Sequence, residues 1–155
     1  MNNTFMQRAI ELSIENVKDS KGGPFGVVIT KDNEIIAEGT NLVTSTNDTT
    51  AHAEIVAIRN ACKKLKNFQL PDCIMYTSCE PCPMCLGAIY WAHIEKVYYG
   101  NSKKDAAAID FDDSFIYKQL SMPYEKRSIP MIQIMQKDAE VAFKEWKKKQ
   151  DKIEY

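Results

Sequence analysis

Residues 73–99, CIMYTSCEPCPMCLGAIYWAHIEKVYY, hold the pattern that decides the fold. Cys73 to Thr77 is a short apolar run with strand chemistry, Pro83 to Ala92 a short apolar helix, and Lys96 to Tyr99 a second strand. Proline suits the first turn of such a helix, where the N–H it lacks would have no intrahelical acceptor. The alternation continues outward. Upstream, Ile55, Ile58, Ala61, Cys62 and Leu65 mark a helix from His52 to Leu65. Phe25 to Thr30 and Glu34 to Glu38 flank Lys31-Asp32-Asn33 as a hairpin. Phe5, Ala9, Ile10, Ile14 and Val17 outline a first helix that Gly22-Gly23-Pro24 stops. The polar stretch from Gly39 to Thr50 reads as a loop whose Asp and Thr side chains suit helix capping. Downstream, Asp113 to Leu120 reads as a helix, Met131 to Met135 as a strand and Asp138 to Gln150 as a terminal helix. This order predicts an α/β fold, with one mixed sheet of about five strands covered by helices on both faces.

At 155 residues the expectation is a single domain, long enough to bury roughly 70% of its unfolded surface without disulfide staples. Apolar residues at 45% and charged residues at 26% exclude a disordered or low-complexity chain. Twenty Lys+Arg against 21 Asp+Glu leave a net charge of −1, which disfavours nucleic acid and anionic membranes as partners. No apolar run approaches the roughly 18 residues that span a bilayer, and the N-terminal stretch has no leader-like apolar segment. Five cysteines, three of them crowded at 79, 82 and 85, do not form an evenly paired framework. They point to a cytoplasmic protein with metal-binding or catalytic thiols.

The chemistry concentrates in His52-Ala53-Glu54 and, 30 residues after the histidine, Pro81-Cys82-Pro83-Met84-Cys85. Cys82 and Cys85 are three apart at a helix start, so both sulfurs share a face, and helix N-terminal amides favour thiolates. His52, opening the other helix, supplies a third ligand. One imidazole and two thiolates suit tetrahedral Zn²⁺. A closed structural site would need Cys79 as its fourth ligand, since His93 lies eight residues beyond Cys85 and Cys62 ten beyond His52. Glu54 beside the histidine favours an open site holding water, which zinc acidifies to a pKa of roughly 7. Two residues apart on a helix do not share a face, so Glu54 approaches that water from another side and acts as proton carrier. His-x-Glu followed by Pro-Cys-x-x-Cys is the signature of zinc deaminases acting on nucleobases.

At these residues the sequence resembles the cytidine deaminase superfamily, and within it the bacterial guanine deaminase family. The resemblance covers nearly the whole chain. It is carried by Gly22-Gly23-Pro24-Phe25-Gly26, Thr50-Ala51-His52-Ala53-Glu54, Ser78 to Ala92, Phe111 to Tyr117 (FDDSFIY) and the terminal Glu154-Tyr155. Thr49 departs from the proline common in relatives, without removing a chemical group. The resemblance implies a three-layer α-β-α cytidine deaminase-like fold, one catalytic zinc per chain, and hydrolytic deamination of guanine to xanthine and ammonia. On that pattern zinc-bound hydroxide attacks C2, Glu54 carries its proton to N3, and Asp113 assists departure of the amine. Asn41 and Ala53 hold the base, Phe25 covers its face and Tyr155 closes the pocket. It further implies a homodimer in which a C-terminal segment from about residue 130 to 155 is exchanged.

Read without the resemblance, the same residues are plainer. Asp113 caps the helix that follows it, Phe25 is core, Asn41 is a turn residue and Tyr155 is a frayed end. Tyr90 and Trp91 are expected to pack the helix of the two thiolates, and Lys147-Lys148-Lys149 to face solvent at a helix end. The competing functions are a tRNA adenosine deaminase, which would need a positive surface, a cytosine deaminase, a zinc-stapled interaction module and a thiol oxidoreductase.

Overall fold

The computed structural model describes residues 3–154. In chain order the elements are α1 (Asn3–Lys18), β1 (Gly26–Lys31), β2 (Glu34–Thr40), α2 (Val43–Thr46), α3 (Ala53–Leu65), β3 (Ile74–Cys79) and α4 (Pro83–Trp91). They continue with β4 (Lys96–Asn101), α5 (Lys103–Ala107), α6 (Ser114–Ser121), a 3₁₀ turn (Tyr124–Lys126) and α7 (Gln136–Lys148). The chain divides into two compact units, Met1–Asp113 and Ser114–Tyr155.

The first unit carries a sheet of order β2-β1-β3-β4. β1 runs antiparallel to both β2 and β3, and β3 parallel to β4. The β1–β2 turn places Asp32 and Asn33 at φ 51° and 63°, the pair of positive values a tight two-residue hairpin turn demands and that Asp and Asn tolerate best. Strand alternation then sorts two cores. Val27, Ile29 and Met75 meet Ala53, Ala57 and Ala61 of α3 and Ile89 of α4. On the opposite face Val28 and Tyr76 meet Phe5, Ala9 and Leu12 of α1. Helix, sheet and helix form the three layers, as the sequence implied.

Small residues set how closely the helices lie. A Cβ on Gly39 of β2 would stand 2.3 Å from the carbonyl oxygen of Ala53 and 2.5 Å from the nitrogen of Ala57, so only glycine admits the first turn of α3 here. That contact fixes the turn bearing His52 and Glu54 against the sheet.

Three expectations need correction. The sheet has four strands: Met131–Met135 is irregular, with Ile132 80% exposed, and has no strand partner among the described residues. Its apolar pattern is β-like, but a strand exists only where an edge receives its backbone groups. In α1 the buried stripe is Phe5, Ala9, Leu12, Ser13 and Asn16, while Ile10, Ile14 and Val17 face outward. In α4, Cys85 and Ile89 are buried, whereas Tyr90 and Trp91 are 75% and 66% exposed. No helix among the described residues is long and apolar enough to cross a membrane.

Candidate active site

His52 and Cys82 are each the residue before a helix, in extended backbone at the N-termini of α3 and α4. Cys85 follows one turn into α4 and is buried. Both helices therefore aim their first turns at one point beyond the carboxyl end of β3, the end of an α/β sheet where ligands collect. Side-chain capping of α3 by the Thr- and Asp-rich loop, expected from sequence, does not occur: His52 caps without a side-chain bond, and Asp48 instead accepts from the N–H and hydroxyl of Thr50.

The His52 Nδ1 atom stands 3.5 Å from Cys82 Sγ and 3.5 Å from Cys85 Sγ. Tetrahedral zinc bonded to one nitrogen and two sulfurs holds that nitrogen roughly 3.5 Å from each sulfur, by trigonometry on ordinary bond lengths. The three ligand atoms lie within 4.8 Å of one another, and no other described His, Cys, Asp or Glu joins the group. The donor set and its spacing fit zinc. Hydrogen bonds from the Cys85 thiol and from His52 pull the Cys82 thiol down to about 4. The same contact with Cys82 raises the His52 pKa, whereas the Cys82 thiolate and burial push Cys85 upward. One negative and one held-back thiol around an imidazole is the arrangement a divalent cation resolves by ionising the second sulfur.

Cys79 is not in the group. Its thiol points to the Ser102 carbonyl at 3.8 Å, and burial pushes it up to about 11. Cys62 contacts the Phe68 carbonyl, and His93 ends α4 in the left-handed region. Among the described residues the group therefore offers three candidate ligands, and Cys79, which a closed four-ligand site would need, is not one of them.

Glu54, in the first turn of α3, is 7% exposed, and its Oε2 accepts from the Cys85 thiol at 3.4 Å. Burial raises its pKa above the ordinary carboxylate range. Asp113 is the less exposed member of the Asp112–Asp113 pair. Burial, then the charge of Cys82, raises its pKa as well, so it lies within electrostatic reach of the cysteine.

The residues read as base contacts sit on loops. Asn41, 6% exposed, accepts the Gly23 N–H and the Val43 N–H at Oδ1, at 3.4 and 3.3 Å. It is a turn residue, yet its Nδ2 has no acceptor among the described residues. Phe25 is half-buried and meets Phe111 edge to face at 4.9 Å between ring centroids. Ala53 is fully buried, and its N–H is one of the first-turn amides that lack an intrahelical acceptor. Tyr155 lies outside the described residues. Sequence reasoning missed Phe111 as the ring beside Phe25, and Asn16, which is 2% exposed and donates to this loop. Asn16 continues the stripe 5-9-12 at the next helical step, a signal that its polarity masked.

The sequence profile of the cytidine and deoxycytidylate deaminase zinc-binding region matches residues 1–101. The chain belongs to this deaminase family, whose members are hydrolases of C–N bonds. More particularly, it is 55% identical over 152 residues to guanine deaminase of Bacillus subtilis, covering 98% of this chain and 97% of that one. The crystal structure of that guanine deaminase superposes with a TM-score of 0.97, covering 100% of this chain and 99% of the other. A tRNA-specific adenosine deaminase of Haemophilus influenzae is 42% identical over 96 residues, covering 58% of this chain and 56% of that one.

Proposed function

We infer that this enzyme deaminates guanine, water replacing the C2 amino group to give xanthine and ammonia. The observation that carries this reading is the likeness to guanine deaminase, 55% identity over 98% of the chain with a TM-score of 0.97, against 32% identity and a TM-score of 0.65 over 83% of the chain for a solved tRNA:A34 deaminase. The net charge of −1 also suits a small neutral base better than a polyanion.

Each chain is proposed to hold one zinc through His52 Nδ1 and the thiolates of Cys82 and Cys85, its fourth position open to water. When bound, the zinc supplies an acidified water and positive charge near the carbon under attack. Glu54 takes the proton that water loses and delivers it to N3. Its burial suits this, because a carboxyl raised toward neutrality both accepts and returns a proton. Asp113 hands a proton to the departing amine, which leaves as ammonia. Asn41 donates through Nδ2 to the base edge, the N–H of Ala53 faces the base, and Phe25, braced by Phe111, covers the purine ring.

The whole chain acts as one deaminase domain and pairs with a second copy by exchanging the segment from about residue 130 to 155. Supporting this, Ile132, Ile134 and Phe143 are exposed at 80%, 75% and 79%, and β4 ends the sheet. Tyr155 closes the pocket, its partner's in the exchanged arrangement. All five cysteines are free, in keeping with a reducing cytoplasm. Ammonia release with free guanine, cytosine, adenosine and a tRNA anticodon stem-loop, with zinc counted on the same sample, tests the reading. Guanine is expected to be the good substrate, and preference for the stem-loop would overturn it.

A further inference from the structure

We propose that Asn16, which is not one of the candidate metal ligands, is a positioning residue for base recognition. Its side chain is 2% exposed on the inner face of α1, and Nδ2 donates to the Gly23 and Asn41 carbonyls, both at 2.9 Å. These two carbonyls belong to the two loops that carry Phe25 and Asn41. The loops are tied to each other at the same place: the Asn41 N–H donates to the Phe25 carbonyl at 3.2 Å, and the Phe25 N–H to the Gly23 carbonyl at 2.8 Å. The Gly23 N–H returns to Asn41 Oδ1. One buried amide nitrogen is therefore the pivot of a ring of hydrogen bonds around both base contacts.

The amide cannot be turned around, because both its partners are carbonyls. Its Oδ1 consequently stays buried with no protein partner among the described residues. A buried acceptor left unpaired is a cost that an apolar residue would avoid, and the double donation is what Asn16 gains in return. Without it, the Asn41 backbone loses its hold on α1, and its side chain no longer keeps one orientation toward the base.

This inference rests on Asn41 being a base contact, so the test separates the two. Steady-state kinetics with guanine are measured on the zinc-loaded protein for Asn16→Ala, Asn41→Ala and the double variant. Asn16→Ala should raise KM about tenfold, the worth of one lost hydrogen-bond anchor, with kcat changed by less than about threefold and zinc retained. Because Asn16 acts through Asn41, the double variant should exceed the KM of Asn41→Ala by no more than about twofold. Full additivity, an unchanged KM in Asn16→Ala, or loss of zinc with loss of kcat would overturn the positioning role. An unchanged KM in Asn41→Ala would instead sink the base-contact reading, and this inference with it. If Asn16→Ala does not accumulate as folded protein, Asn16→Ser, whose hydroxyl can serve one carbonyl, decides by the same KM-against-kcat split.

Discussion

The wall with the candidate zinc ligands His52, Cys82 and Cys85, and Glu54 beside them, stands at the first turns of two regular helices. The wall proposed to face the base, Phe25, Asn41 and Asp113, stands on irregular chain. In the first wall one helical turn spaces Cys82 and Cys85, and a glycine–alanine contact between β2 and α3 seats the turn that bears His52 and Glu54. In the second wall the loops of Phe25 and Asn41, distant in sequence, are joined by backbone hydrogen bonds and by the Asn16 side chain. The difference teaches that binding of metal and recognition of base are separable. Variants of the helical wall should abolish chemistry or metal, while variants of the loop wall should weaken binding or slow proton transfer with the metal in place.

The largest effect should come from removing a ligand. His52→Ala or Cys85→Ala leaves two donors where tetrahedral zinc needs three from the protein, so both metal and turnover should fall to background, read by metal analysis and ammonia release. Retained activity in either would dissolve the distinction between the walls. Next is Glu54→Gln, which preserves shape and removes the proton carrier. Zinc should remain stoichiometric while kcat drops about 10³-fold. Persistent rapid turnover would give Glu54 a merely structural place.

How legible these walls were follows from the same difference. The strand, helix and strand in residues 73–99 and the two ligand motifs depend on short-range periodicity, which a sequence displays directly. The hairpin turn at Asp32-Asn33 was legible for the same reason. Periodicity misled where burial depends on a distant partner. Ile10, Ile14 and Val17 share helical spacing with one another but not with the face packed on β1 and β3. Asn16 occupies that face because two carbonyls satisfy it, a fact no local pattern contains. Met131–Met135 has strand composition yet no strand partner among the described residues, and Tyr90 and Trp91 are exposed on α4. Side chains at irregular positions, Asn41 and Asp113 above all, carried no periodic signal and were indicated by resemblance alone.

A smaller effect sharpens the loop wall. Asp113→Asn should lower kcat about 100-fold with zinc retained, whereas Asp112→Asn should stay within about threefold of the parent. The asymmetry rests on burial, Asp113 being the less exposed of the two. If Asp112→Asn proves the damaging change, the wrong carboxylate has been assigned to the amine.

The smallest effect is expected at Cys79, which separates an open metal site from a closed one. It lies three residues before Cys82 and is buried, so proximity in sequence alone would make it a ligand. Its thiol turns instead to the Ser102 carbonyl. Cys79→Ser should therefore leave zinc content and turnover at parental levels, and loss of metal would restore the four-ligand alternative. Thiol chemistry gives an independent check in protein stripped of metal at pH 6. A thiol held at about 4 is ionised at that pH, while one pushed up to about 11 is protonated. Iodoacetamide should thus alkylate Cys82 well before Cys79, because the thiolate is the nucleophile. Restoring zinc should protect Cys82 and leave the slow labelling of Cys79 unchanged, which two thiols sharing one ion could not do.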